Sequence, residues 1–267
     1  MNAQAHWGGK DTLHAEWTKL RTVTGPAWLL IATVAATVAI SAAATAAVRC
    51  PSGTACPVDT AKLSLTGIQF GQAVVAVLAV LVISGEYSTG MIRTTFTAMP
   101  HRVTVLGAKA AILSGLVLAA GSLAVLGSVL TGRLILPGHG IGPAHGYPAL
   151  SLGDGPVLRA ALGSVLYLAL IALLSVGAAA ALRDAAAAIG VVLGLLYLFP
   201  IIGAVAGRPD LARHIEQIGP MTAGLAIQAT TGLNNLPIRP WAGLGVLAAW
   251  AAGALLLGGL LLRLRDA

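Results

Sequence analysis

Six stretches of this chain run for about the thickness of a membrane with almost no charge in them, and that pattern excludes most folds. The runs lie at about 28–48, 67–84, 106–131, 157–182, 185–206 and 241–262. A helix rising 1.5 Å per residue needs roughly 20 apolar residues to cross about 30 Å of hydrocarbon, and each run approaches or exceeds that length. Only Arg183 and Asp184 separate the fourth from the fifth. Those two read as a tight helical hairpin, since a single helix over both would far exceed the bilayer. Charged residues make up 9% of the chain and hydrophobic ones 57%, with a mean hydropathy of +0.87, whereas a soluble domain carries about a quarter charged residues to keep its surface wet. Lipid must therefore be the main solvent. The expectation is an all-α, polytopic membrane protein of six transmembrane helices: 1–27 a cytoplasmic N-terminus, 28–262 the membrane domain, and 263–267 a cytoplasmic tail.

The net charge of +7 invites a nucleic-acid reading, but the 16 Lys and Arg residues form no stripe or tail. They sit singly at the ends of apolar runs, where phospholipid headgroups hold them, so the expected partner is membrane lipid and not nucleic acid. Six spans put both termini on one side. With the N-terminus in the cytoplasm, nine of these basic residues fall inside and seven outside, a weak bias in the sense of the positive-inside rule. Cys50 and Cys56, the only cysteines, share the first outer loop at C-x5-C spacing. In an oxidising compartment that pair could close a small disulfide ring. Small residues near Ser41 resemble a signal-peptide cleavage site, but the first run is span-length and preceded by some 27 residues, so it reads as a retained span of the cytoplasmic membrane.

The connections differ in kind. Residues 132–156 are rich in Pro and Gly and read as irregular outer loop. Residues 207–240 hold an apolar stretch, Met221–Ala229, too short to span and suited to a re-entrant or interfacial position on the outer side. Before the first span, Leu13, Trp17 and Leu20 fall at i, i+4 and i+7, with Glu16, Lys19 and Arg21 on other faces. The pattern predicts a short amphipathic interfacial helix, broken by Gly25-Pro26.

The inner loop between the second and third spans is the most informative segment. Glu86 ends an apolar run, where an acid is costly unless solvated or paired. Ile92, Phe96 and Met99 then share one helical face until Pro100 stops the pattern. Apolar side chains beside Arg93 and Arg102 suit a cytoplasmic docking surface or packing on the protein's own inner ends. Within the spans, Gln69 and Gln72 at i, i+3 line a translocation path or, the preferred reading, hydrogen-bond between helices. Gly67-x-x-x-Gly71 and Gly190-x-x-x-Gly194 match the small-residue packing motif. The sequence has no G-x-x-x-x-G-K-[ST] loop, no H-E-x-x-H and no Cys/His cluster of metal spacing. His139 and His145 share an outer loop and read as solvated side chains. Nothing suggests a catalytic set at membrane depth, and the scarcity of buried titratable groups argues against an ion-coupled carrier.

On three segments the sequence resembles the type 2 ABC transporter permeases, in particular the six-span actinobacterial subunits. Glu16-Trp17-Thr18-Lys19-Leu20-Arg21-Thr22 is similar to that family's E-W-x-K-L-R-[ST] segment before the first span. Gly85-Glu86-Tyr87-Ser88-Thr89-Gly90-Met91-Ile92-Arg93-Thr94-Thr95 is similar to its G-E-Y-x-x-G-x-[IL]-R-x-[ST] segment, and Pro100 and Arg102 match its P-x-R ending. The tail Arg263-Leu264-Arg265-Asp266-Ala267 is similar to its basic ending. The resemblance implies an exporter subunit that is not itself an enzyme. ATP and magnesium would be bound by a separate cytosolic ATPase, and a second permease protomer, identical or different, would complete the transporter. Glu86, Tyr87, Gly90, Ile92, Arg93, Phe96, Met99, Pro100 and Arg102 would form the coupling-helix region, and residues 11–21 the connecting helix. Substrate would leave at the dimer interface, along the first, second and fifth spans. The alternative is a non-transporting immunity or signalling protein that binds a peptide or another membrane protein.

Overall fold

The computed structural model describes residues 18, 24–50, 58–88, 102–142, 147, 150–205 and 207–264. Among these, every regular element is helical: α1 (Thr24–Ala47), α2 (Thr60–Ser64), α3 (Ile68–Ser88), α4 (Arg102–Ile135), α5 (Gly155–Leu182), α6 (Ala185–Val205), α7 (Pro209–Ile218), α8 (Pro220–Leu225) and α9 (Pro240–Leu264). Short 3-10 turns follow α4, at Leu136–His139, and α8, at Ala226–Gln228. Helices α1, α3, α4, α5, α6 and α9 are long and apolar enough to cross a membrane, the build of a multi-pass membrane protein.

The helices extend beyond the apolar runs at several ends. α4 starts at Arg102 and has 34 residues, about 50 Å at 1.5 Å per residue, so it outreaches a 30 Å hydrocarbon core. Its polar ends carry it into the headgroup layer, where Arg and Lys are at home. Gly25 and Pro26 lie within α1, whose described residues begin at Thr24; residues 19–23, where the expected break after the amphipathic segment would show, lie outside the described residues.

α5 is the centre of the bundle, packed by α9, α4, α3 and α6, while α1 lies against α3 and α4. Its Tyr167, Leu168 and Ile171 are fully buried. Small residues set how close the neighbours come. A Cβ on Gly177 would stand 2.4 Å from the carbonyl carbon of Ala254 in α9, and one on Gly163 would stand 2.0 Å from Ile227 Cγ1. The first small-residue motif also faces inward: a Cβ on Gly67 would lie 2.0 Å from the Thr37 carbonyl oxygen, and one on Gly71 2.2 Å from Thr37 Oγ1. Ser41 Oγ completes that crossing by accepting the Gly67 N–H at 3.0 Å. Gly190 and Gly194 of α6 have nothing within 4 Å and face away from the bundle.

Residues 209–229 form a hairpin that enters and leaves on one side. α7 runs back along α6, with Ile215 beside Gly203 and Gly219 beside Phe199. The chain turns at Pro220 and returns along α5: Gly224 lies against Tyr167, Ile227 against Gly163, and the Ala229 carbonyl accepts from Arg159. The apolar stretch Met221–Ala229 is the returning arm, and it is buried almost throughout. The first arm has no counterpart among the elements expected from sequence, because Asp210, Arg213, His214 and Glu216 give it the composition of a loop. Leu211, Ala212, Ile215 and Ile218 nevertheless recur at helical spacing along α7.

Candidate functional site

The spacing of Gln69 and Gln72 puts both on one face of α3, and the structure brings three other elements to that face. Tyr167 of α5 donates its hydroxyl to Gln72 Oε1. Gln72 Nε2 donates to the Gln69 carbonyl at 2.9 Å and lies 3.1 Å from Met221 Sδ on the returning arm. Tyr197 of α6 donates to the same Gln69 carbonyl at 2.7 Å. Gln72 and Tyr167 are both 0% exposed. A polar group left unpaired in hydrocarbon costs several kcal/mol, so this cluster persists because both ends of the Gln72 amide and the Tyr167 hydroxyl find partners. Its chemistry is that of a hydrogen-bond clamp joining α3, α5, α6 and the hairpin. Gln72 offers no surface to a passing substrate in this conformation, whereas Gln69 is half-buried and keeps part of its surface.

A second clamp closes the same end of the bundle. Asp59 caps α2 by accepting the Lys62 N–H at 3.0 Å. Its carboxylate also accepts the Thr230 N–H at 2.5 Å, the Thr230 hydroxyl at 2.7 Å and the Thr231 N–H at 3.0 Å. Burial pushes this carboxyl up, but the Thr230 hydroxyl and the three N–H donors outweigh it and hold the group below its ordinary value of 3.8. Arg159 donates to the Ala229 carbonyl at 2.5 Å, and Gln228 Nε2 donates to Ser164 Oγ at 3.1 Å. Asp59 was not expected as a site residue. An Asp just before a short helix is a capping signal, but nothing local marks Thr230, 171 residues away.

Close to this clamp, the Cys50 N–H donates to the His139 carbonyl at 3.0 Å, and Gly140, at φ 82, backs onto the Cys50 carbonyl. Cys50 is disulfide-bonded; Cys56, the other cysteine of the chain, lies outside the described residues, as does His145. His139 is half-buried. Among the described residues no group of three or more His, Cys, Asp or Glu side chains could hold a metal ion. Of the coupling residues, Glu86 and Tyr87 fall in the last turn of α3 and Arg102 opens α4. Gly90, Ile92, Arg93, Phe96, Met99 and Pro100 lie outside the described residues, as do Leu13, Glu16, Trp17, Lys19, Leu20 and Arg21. No protein-family model matches the chain, and no curated protein matches it.

Proposed function

We propose that this chain is the membrane-spanning permease subunit of an ABC exporter. It would move a drug, antibiotic, lipid or peptide across the cytoplasmic membrane with energy from ATP hydrolysed on a separate chain. The observation that carries this reading is the segment Gly85–Arg102, which joins the end of α3 to the start of α4 and resembles the coupling region of type 2 permeases. The arrangement of helices is compatible with it: α3 packs against both α1 and α6, and α1 and α6 are the two least buried of the six. A second protomer, identical or different, covers that face in the proposed transporter, and the exit path runs between the two. The chain itself carries no cofactor; ATP and magnesium belong to the cytosolic ATPase. Closure of the ATPase pair pushes on the two short cytoplasmic helices, residues 11–21 and the one after Glu86, and the spans rock as rigid bodies.

The test is co-purification with a candidate ATPase, followed by transport assays on Glu86→Lys combined with Phe96→Asp. The double variant should reach the membrane in normal amounts and lose coupling between ATP hydrolysis and export. Unchanged export in that variant would sink the assignment.

A further inference from the structure

α6 changes character at its internal proline, Pro200. A proline has no N–H to offer the Leu196 carbonyl, and its ring crowds that carbonyl, so the helix bends most easily there. The packing changes at the same place. Ala188, Val192 and Leu196 are fully buried, whereas Ile201, Ile202 and Val205 stand exposed, and no residue from 200 to 205 is buried. α7 has no buried residue either; burial resumes at Gly219, Pro220 and Met221. The two legs of this excursion meet where they leave and rejoin the bundle. A Cβ on Gly219 would stand 2.9 Å from Phe199 Cβ, and each of these two residues is followed by a proline. Gly219 is extended, at φ −65 and ψ 130, and uncouples α7 from α8. Farther out, Gly203 lies against Ile215, so the two legs pack on each other.

Among the described residues, the hydrogen bonds that tie α7 to elements beyond this point all start in its last turn. The Thr222 hydroxyl donates to the Glu216 carbonyl at 2.9 Å, and Gln217 Nε2 donates to the Pro237 carbonyl at 2.8 Å. The Trp250 indole N–H donates to the Ile218 carbonyl at 2.9 Å. Trp250 also sets its ring edge-on to Phe199, with centroids 6.3 Å apart and planes at 70°, and so holds both legs at once. Ile218 and Trp250 line one end of an apolar groove of about 720 Å³ between α5, α6 and α9, whose walls run on to Leu182 and Leu257. We propose that α7 and the end of α6 beyond Pro200 form a flap that closes this end of the groove. It is hinged at Phe199–Pro200 and Gly219–Pro220 and latched by Trp250. A flap needs few buried contacts, so that opening is easy, and a few specific bonds beside its hinge, so that the closed state is defined; this segment has both. Lifting it draws Ile218 away from Trp250 and joins the groove to the water beyond the bundle's end. The inference stands whether or not the chain is an exporter subunit.

The experiment places spin labels on introduced cysteines of the detergent-purified full chain, whose own cysteines are spent in the disulfide of Cys50. Labels at Val205→Cys on the flap and Leu158→Cys on α5, both exposed positions, should give one narrow distance distribution. Trp250→Ala removes ring and donor together and should add a second, separate distance. Trp250→Phe keeps a ring against Phe199 and loses only the N–H, so it should populate the second distance less. Adding Pro200→Ala to either variant gives α6 back its N–H and should return most molecules to the first distance. A label at Gly253→Cys, where a Cβ meets nothing within 4 Å, reads the groove itself. Its collisions with a water-soluble nickel chelate should rise severalfold in Trp250→Ala and fall back with Pro200→Ala. A distance that neither Trp250 variant changes overturns the latch. A second distance undiminished by Pro200→Ala overturns the hinge. Chelate access that Pro200→Ala does not reverse means a groove merely widened by the lost indole, and overturns the flap as its lid.

Discussion

Gln72 and Asp59 are both polar side chains held by partners far along the chain, and they respond differently to substitution. Gln72→Leu removes the acceptor of a Tyr167 hydroxyl that is wholly buried. Leaving that hydroxyl unpaired should cost about 1–3 kcal/mol, read as lost thermal stability in detergent. Adding Tyr167→Phe removes the stranded group, so the double variant should recover much of the loss and show a coupling energy in the double-mutant cycle. Strictly additive losses would mean that the two side chains do not act as a pair. For Asp59 the lever is pH. Its folded carboxyl lies below its ordinary value of 3.8, so its stabilising effect is fully present above that value and is lost as pH falls through the lower folded one. The stability gap between the wild type and Asp59→Asn should therefore hold from neutral pH to about pH 4 and shrink below it. A gap that widens in acid would contradict the clamp.

Among the elements, the spans were readable in the sequence because a run of about 20 uncharged residues has no other stable home. Their ends were not, since a helix goes on hydrogen-bonding its backbone after its side chains have turned polar, as α4 does at Arg102. The hairpin was half legible: its returning arm is apolar, but α7 carries a charged, amide or imidazole side chain at half of its ten positions. The polar clamp was legible only as the i, i+3 spacing of the two glutamines; Tyr167 and Met221 lie 95 and 149 residues from Gln72, with no local signal. The two small-residue motifs look alike in sequence, and the packing separates them. Gly67→Ala forces a Cβ into the Thr37 carbonyl and should cost about 1–3 kcal/mol through overpacking. Gly190→Ala meets nothing and should be neutral or slightly stabilising, because Ala exceeds Gly in helix propensity by about 1 kcal/mol. Equal melting shifts for the two variants would remove the basis for placing one crossing inside the bundle and the other face outside it.

Taken whole, the molecule is tied together at one end of its bundle. The Cys50–His139 backbone bond, the Asp59 clamp and the Arg159–Ala229 bond join the chain after α1, the capped α2, the start of α5 and the mouth of the hairpin. The opposite end holds the turn between α5 and α6 and the ends of α3 and α4 that flank residues 89–101. With six spans the two chain termini share a side, and the loop after α1 lies on the other. In the N-in arrangement the tied end faces outward, into the compartment where the disulfide of Cys50 persists. In intact cells, after reduction, a maleimide that cannot cross membranes should then label Cys50 and Cys56, with Cys50→Ser and Cys56→Ser each removing part of the signal. Labelling confined to inside-out vesicles would invert the whole arrangement. The clamps and hairpin would then face the cytoplasm, and the segment after Glu86 would lie out of reach of any cytosolic ATPase.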